Sequence, residues 1–230
     1  MRARETIGRL PPDAQVTLSV NALSTHETAH DLFQGLGYEH MRFYWRMGAD
    51  FPEVLPEVVL PEGIVIKSWA ELGDSVTLRQ IVEAKEDSFR DHWGHVDEPL
   101  DEVVKLWEYM LQNDPYFDPW AYFIALDTTQ NNAVAGVSLC YLQSQDMPTC
   151  GYVGSLGVPR PWRRTGLGLA LLLHSFHVFQ QKGYTRMELH VDGASLTGAT
   201  RLYEKAGMSV VDRTDRYQMV LRSGRDMMTK

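Results

Sequence analysis

Cysteine is nearly absent. Cys140 and Cys150 are the two present in 230 residues, too few for the disulfide framework on which small secreted domains depend. If the chain turns near Gln145 they stand opposite each other, but reduced core thiols are the expectation for a cytoplasmic protein. Long apolar runs are also missing. None approaches the ~20 residues of a transmembrane helix, and the charged start MRARETIGRLPPD has no apolar signal-peptide segment. Basic residues are the minority, with 22 Lys and Arg against 30 Asp and Glu, giving a net charge of −8. That balance argues against a nucleic-acid partner. Gly-Lys-Ser/Thr does not occur, which excludes a P-loop. Gly166-x-Gly168 is followed by Leu171 instead of a third glycine, and no full βαβ unit follows it, unlike a dinucleotide fingerprint. His92 and His95 stand three apart beside acids, but three good ligands at metal spacing are lacking, so no metal is expected.

What is present is an ordinary core-forming composition, 44% hydrophobic and 23% charged, for one or two domains. The central stretch runs from Gly151 to Gly183. Tyr152, Val153, Leu156 and Val158 suit a buried strand, and Pro159 and Pro161 end it. Arg163, Arg164, Thr165, Gly166, Leu167 and Gly168 make a basic, glycine-rich corner. From Leu167, apolar residues at helical spacing continue to Gln181, and Gly183 stops the helix just after Lys182. A helix N-terminus offers unpaired N–H groups and partial positive charge, which suits a phosphate or pyrophosphate.

The rest of the chain divides around that corner. In residues 1–50, Val16, Leu18 and Val20 alternate as a strand. Thr25 could cap a short helix, and Met41, Phe43 and Trp45 suggest another strand. Residues 51–62 hold three prolines and several acids and read as an extended linker. After Ile64–Ile66 a helix is expected over Ser75–Phe89, capped by Asp74 or Ser75, and a second over Leu100–Leu111. Strands follow at Trp120–Leu126, Ala133–Leu142 and Cys150–Val158. Beyond the central helix come a strand at Met187–Val191, a short helix over Gly198–Ala206, and a final hairpin of Val210-Val211 with Tyr217–Leu221. Residues 223–230 form a loose tail.

The two ends of the chain echo each other. Leu18 and Val20 match Leu189 and Val191 at an offset of 171, while Leu32, Phe33 and Gly37 match Leu202, Tyr203 and Gly207 at 170. A whole-domain offset of this kind indicates tandem duplication. Residues 1–50 then read as the C-terminal remnant of a first domain. A lone strand–helix–strand cannot bury its apolar face. It is expected to lie against the second domain, or against a second copy as a homodimer formed through residues 1–50.

Arg163-x-x-Gly166-x-Gly168 after Leu156-Gly157-Val158 resembles the acyl-CoA pyrophosphate loop of the GNAT superfamily of acetyltransferases. The element order from residue 63 is similar to that of a GNAT domain, and TGATRLYEKAGM resembles a second motif of the family. The tandem layout and the SFRDHWG stretch are similar to the two-domain, mycothiol synthase-like members. The resemblance implies an α/β (α+β) GNAT fold over residues 63–222, with a mixed central sheet and helices on both faces. It implies acetyl-CoA or CoA as co-substrate, held by Leu156, Gly157, Val158 and residues Arg163–Gly168. It also implies a small-molecule or peptide amine as acceptor, attacking the thioester directly, with Tyr203 as the general acid. Tyr203 equally completes a core stripe with Ala199, Leu202 and Ala206. Where relatives carry Asn-Pro this chain has Ser195 and Leu196; Ser195 could cap the helix or bond pantetheine. No base is assigned. Glu188 lies beside the cleft, Glu83, Asp87, Asp91, His92 and His95 lie on or after the first helix, and water-mediated deprotonation stays open. The alternative is a CoA-binding regulatory or scaffold domain without significant turnover.

Overall fold

The computed structural model describes residues 7–9, 11–144, 147–193 and 198–226; Ser195 lies outside them. The first fifty residues supply strand β1 (Val16–Leu23), helix α1 (Glu27–Gly35) and strand β2 (Glu39–Asp50). Then come β3 (Ile64–Ser68), α2 (Trp69–Leu72), α3 (Leu78–Phe89) and α4 (Leu100–Asn113), followed by β4 (Tyr122–Asp127), β5 (Ala133–Tyr141) and β6 (Cys150–Gly157). The last part holds α5 (Leu167–Gln181), β7 (Arg186–Asp192), α6 (Ala199–Lys205) and β8 (Ser209–Arg222). The strands form one sheet in the order β1-β8-β2-β7-β6-β5-β4-β3. Only β6 and β7 pair in parallel; the other neighbours are antiparallel.

Helices cover both faces of this mixed sheet, as the sequence leads one to expect. β4 shows why. Tyr122, Ile124 and Leu126 meet Ile81 and Val82 of α3 and Trp107 of α4. Phe123 and Ala125 meet Leu171, Phe176 and Phe179 of α5. Side chains alternate across a strand, so a strand covered on both faces is apolar throughout, and every residue of β4 is buried.

Several local expectations need correction. The helix expected from Ser75 begins at Leu78: Gly73–Ser75 is a separate 3₁₀ turn, and Thr77 with Gln80 closes a reciprocal capping box. At α1 the cap is His26, whose Nδ1 accepts from the Ala29 N–H, and not Thr25. The final hairpin is one continuous strand, β8. No Gly, Pro or Asn lies between Val211 and Tyr217 to turn the chain, and β8 is paired along both edges, by β1 and by β2. The two cysteines are free and do not face each other; Cys140 lies opposite Val153. The stretch after β2 is fastened along α5. Leu55 is buried, and the side chains of His177 and Gln180 bond the Pro56 and Pro52 carbonyls at 2.8 and 2.7 Å.

β2 is inserted between β7 and β8. Glu39 lies opposite Gln218 and Gly48 opposite Ser209. Adding the repeat offset of 170 to 39 and 48 gives 209 and 218, the same two pairs read from the other strand.

Candidate active site

The site starts where the sheet comes apart. β6 and β7 pair from Cys150 with Arg186 to Val153 with Leu189, and no pairing continues beyond. On the β5 side, Leu139 faces Ser155 and Cys140 faces Val153, so Gly154 is an extra residue in β6. Such a bulge bends and twists its strand, and here it lies at the point of separation. A cavity of about 670 Å³ opens in the gap, a size typical of small-molecule sites. It is lined by Leu156, Gly157 and Val158 on the β6 arm, and by Leu189–Asp192 on the β7 arm. The backbone edge left unpaired by the splay therefore faces the cavity.

At its other end the cavity reaches the start of α5. Gly166 is the N-cap residue, with φ of +90°, and no side chain caps the helix. An L side chain at that φ is strained, so glycine suits the corner. The first N–H groups of α5 are left for a ligand. Arg164, Gly166, Leu167 and Gly168 line this end, and Arg201 and Lys205 from α6 add positive charge. This local basic wall stands on a chain of net charge −8.

Arg163 lines the cavity, but its guanidinium is committed elsewhere. Nε donates to the Val158 carbonyl at 3.0 Å, Nη2 to the Ser88 carbonyl at 3.1 Å, and Nη1 to Asp91 at 2.9 Å. Asp91 also holds Arg160, and hydrogen bonds from Arg160 and Arg163 keep its carboxyl well below the usual carboxylate range. Arg163 thus braces α3 against the end of β6. Contact is close there: a Cβ on Gly157 would stand 2.7 Å from Ser88 Cβ. Thr165 turns its hydroxyl to the Trp162 carbonyl at 2.8 Å.

Tyr203 lines the cavity and is 9% exposed. Burial, with Tyr152 nearby, pushes its phenol up to about 12, so it holds its proton at neutral pH. The cavity lining also includes His92 and Trp93, which follow α3, and Tyr44, which comes from β2. The Trp93 ring lies 4.7 Å from the Arg42 guanidinium carbon. Below them, even-numbered residues of β7 and β2 share one face: Arg46 is opposite His190 and Tyr44 opposite Asp192. Glu188, 1% exposed, is bound by Arg46 at 3.0 Å, Arg186 at 2.9 Å and Ser144 at 2.8 Å. Burial disfavours its charge, but the bonds from Arg186, Ser144 and Arg46 prevail and hold its carboxyl below the ordinary range. Glu188 is a buried strut and does not line the cavity. Among the described residues no cluster of three His, Cys, Asp or Glu could hold a metal, and no helix is long and apolar enough to cross a membrane.

The structure brings together Leu156–Val158, Arg163, Arg164, Gly166–Gly168 and Tyr203 around one cavity. Sequence reasoning missed Tyr44, Trp93, His190 and Asp192. For the β7 pair a signal existed: polar Glu188, His190 and Asp192 alternate with apolar neighbours. For Tyr44 none did, because it reaches the site from a distant part of the chain.

Residues 78–208 match the Acetyltransferase (GNAT) family. The chain belongs to that family. Curated relatives include the mycothiol acetyltransferase of Nocardia farcinica, 28% identical over 176 residues, covering 76% of this chain and 55% of the relative. That of Thermobispora bispora is 29% identical over 181 residues, with 77% and 57% covered. The chain thus spans little more than half the length of these GNAT relatives. Among solved structures, a GCN5-related N-acetyltransferase from Sphaerobacter thermophilus has a TM-score of 0.74 and 28% identity, covering 97% of this chain and 65% of that one. A tandem GNAT protein from the clavulanic acid biosynthesis pathway has a TM-score of 0.64 at 12% identity, with 91% and 65% covered, a likeness of fold alone.

Proposed function

We propose that this GNAT chain is an N-acyltransferase that moves an acetyl group from acetyl-CoA to a primary amine. The observation that carries the reading is the splay of β6 from β7 beyond Val153 and Leu189, leading to the uncapped start of α5 at Gly166. Pantetheine would lie along the free edge of Leu156–Val158, with the pyrophosphate on the first N–H groups of α5. The amine attacks the thioester carbonyl. A nitrogen–carbon bond forms, the carbon–sulfur bond breaks, and the departing thiolate takes a proton from Tyr203. Backbone N–H groups on the β6 arm stabilise the developing oxyanion, a preorganised contribution that needs no rearrangement during reaction. Residues 63–222 would carry this chemistry, with β2 completing the acceptor side through Tyr44. The relatives' names support a mycothiol-related amine as acceptor.

Calorimetry with CoA and acetyl-CoA, joined to thiol release over a panel of primary amines that includes mycothiol-related ones, tests the reading. Wild type should bind both and turn over at least one amine. Gly166→Val, which strains the corner by about 1–2 kcal/mol, should weaken CoA binding about tenfold. A folded sample that binds neither would overturn the proposal. Binding without turnover on any amine would instead favour a CoA-binding regulatory domain.

A further inference from the structure

One imidazole of the cavity joins the two arms of the splay. His190 lines the cavity on β7, one residue beyond the last β6–β7 pair. Its Nδ1 lies 3.1 Å from the Tyr152 hydroxyl. Tyr152 stands on β6, so the two side chains join the arms of the splay at its base, where a thioester between the arms would end. With Nδ1–H donating to Tyr152, the other ring nitrogen, Nε2, keeps its lone pair.

We propose that His190 is the general base that takes a proton from the acceptor ammonium, and that Tyr152 is a positioning residue that holds its tautomer. The proposal rests on the acyltransferase reading. The ammonium N–H bond breaks and its proton passes to Nε2. The freed amine attacks, and the thiolate is protonated by Tyr203. The second amine proton is lost as the amide forms and returns through water to Tyr203. His190 releases its own proton to solvent, so one proton leaves per turnover.

On balance the surroundings of His190 favour its neutral form. The groups facing it are Tyr152 on β6, Arg46 opposite on β2, Asp212 on β8 and Glu188 on its own strand. Burial comes first in lowering its pKa, and Arg46 acts the same way against Asp212 and Glu188. Both carboxylates are already bound by Arg46. His92 also lines the cavity, but its ring is set against Phe89, with centroids 4.6 Å apart.

The test measures kcat and KM against pH for wild type, His190→Gln, His92→Gln and Tyr152→Phe, using acetyl-CoA and the amine that wild type turns over best. His190→Gln should lose about 10²-fold or more in kcat. It should keep its KM for acetyl-CoA and its calorimetric CoA affinity, and it should lack the acid limb of the wild-type profile. Tyr152→Phe should lose less and shift that limb. Added imidazole should restore part of the activity of His190→Ala. Several results would overturn the proposal: His190→Gln within about threefold of wild type, loss of the acid limb in His92→Gln instead, or loss of CoA affinity in both His190 variants. Wild type that binds acetyl-CoA without turning over any amine would overturn the acyltransferase reading itself, so the two failures are distinguishable.

Discussion

Tyr203 occupies a position that suits both a core residue and an acid. Its phenol is buried, yet it borders the cavity, and its raised pKa keeps it protonated at neutral pH. Tyr203→Phe removes the proton and keeps the ring. It should therefore leave CoA affinity unchanged and lower kcat about 10²-fold, measured by calorimetry and thiol release on the same sample. An unchanged kcat would assign Tyr203 to the core alone. Arg163 shows how a motif residue can differ from its expected use. Its three bonds run to Val158, Ser88 and Asp91, so its side chain fixes the corner. The sequence shows that an arginine belongs here; only the fold shows where its guanidinium goes.

At the scale of elements, β2, β7 and β8 are tied by buried charge. Arg46 reaches Glu188 at 3.0 Å and Asp212 at 2.6 Å, joining all three strands beside His190. Removing Arg46 leaves buried Glu188 to Arg186 and Ser144 alone, at a cost of about 1–3 kcal/mol. Arg46→Leu should lower the urea midpoint accordingly; a change within about 0.5 kcal/mol, as for an ordinary surface site, would refute the role. Two buried carboxylates of this sheet set the response to acid. Glu188 and Asp215 both have pKa values depressed in the fold. In Asp215 burial opposes the charge, but bonds from Arg213 and His40 prevail. The unfolded chain then binds more protons as pH falls. This stability is complete above the ordinary carboxylate range near pH 4 and is lost as pH drops through the folded values. Urea midpoints should therefore fall steeply below about pH 4.

At the scale of the molecule, the placement of β2 decides what residues 1–50 can be. A segment that only touched the outside of residues 63–222 could be removed with its own contacts. Here β2 separates β7 from β8, and removing it leaves β8 with no partner on either edge, since β1 goes too. Deleting residues 1–50 should abolish cooperative unfolding or yield insoluble protein, judged by circular dichroism and sedimentation. A soluble, cooperatively folding deletion product with unchanged CoA affinity would show that the two parts fold separately.

The sequence by itself determined what is contiguous. The glycine-rich turn into α5 was legible because Arg163 to Gly168 follow a strand and open a helix, and α5 spans the Leu167–Gln181 range that its apolar spacing predicts. The strand at β4 and the short helix carrying Tyr203 were legible for the same reason: each is a contiguous local pattern. Long-range placement was not. That Tyr44 borders the cavity, that Tyr152 meets His190, and that Glu188 is a buried strut all depend on which strands become neighbours. Strand order is set by burying apolar faces and pairing backbone edges over the whole chain. No local pattern encodes the partner across the sheet, so these pairings were decided only by the tertiary structure.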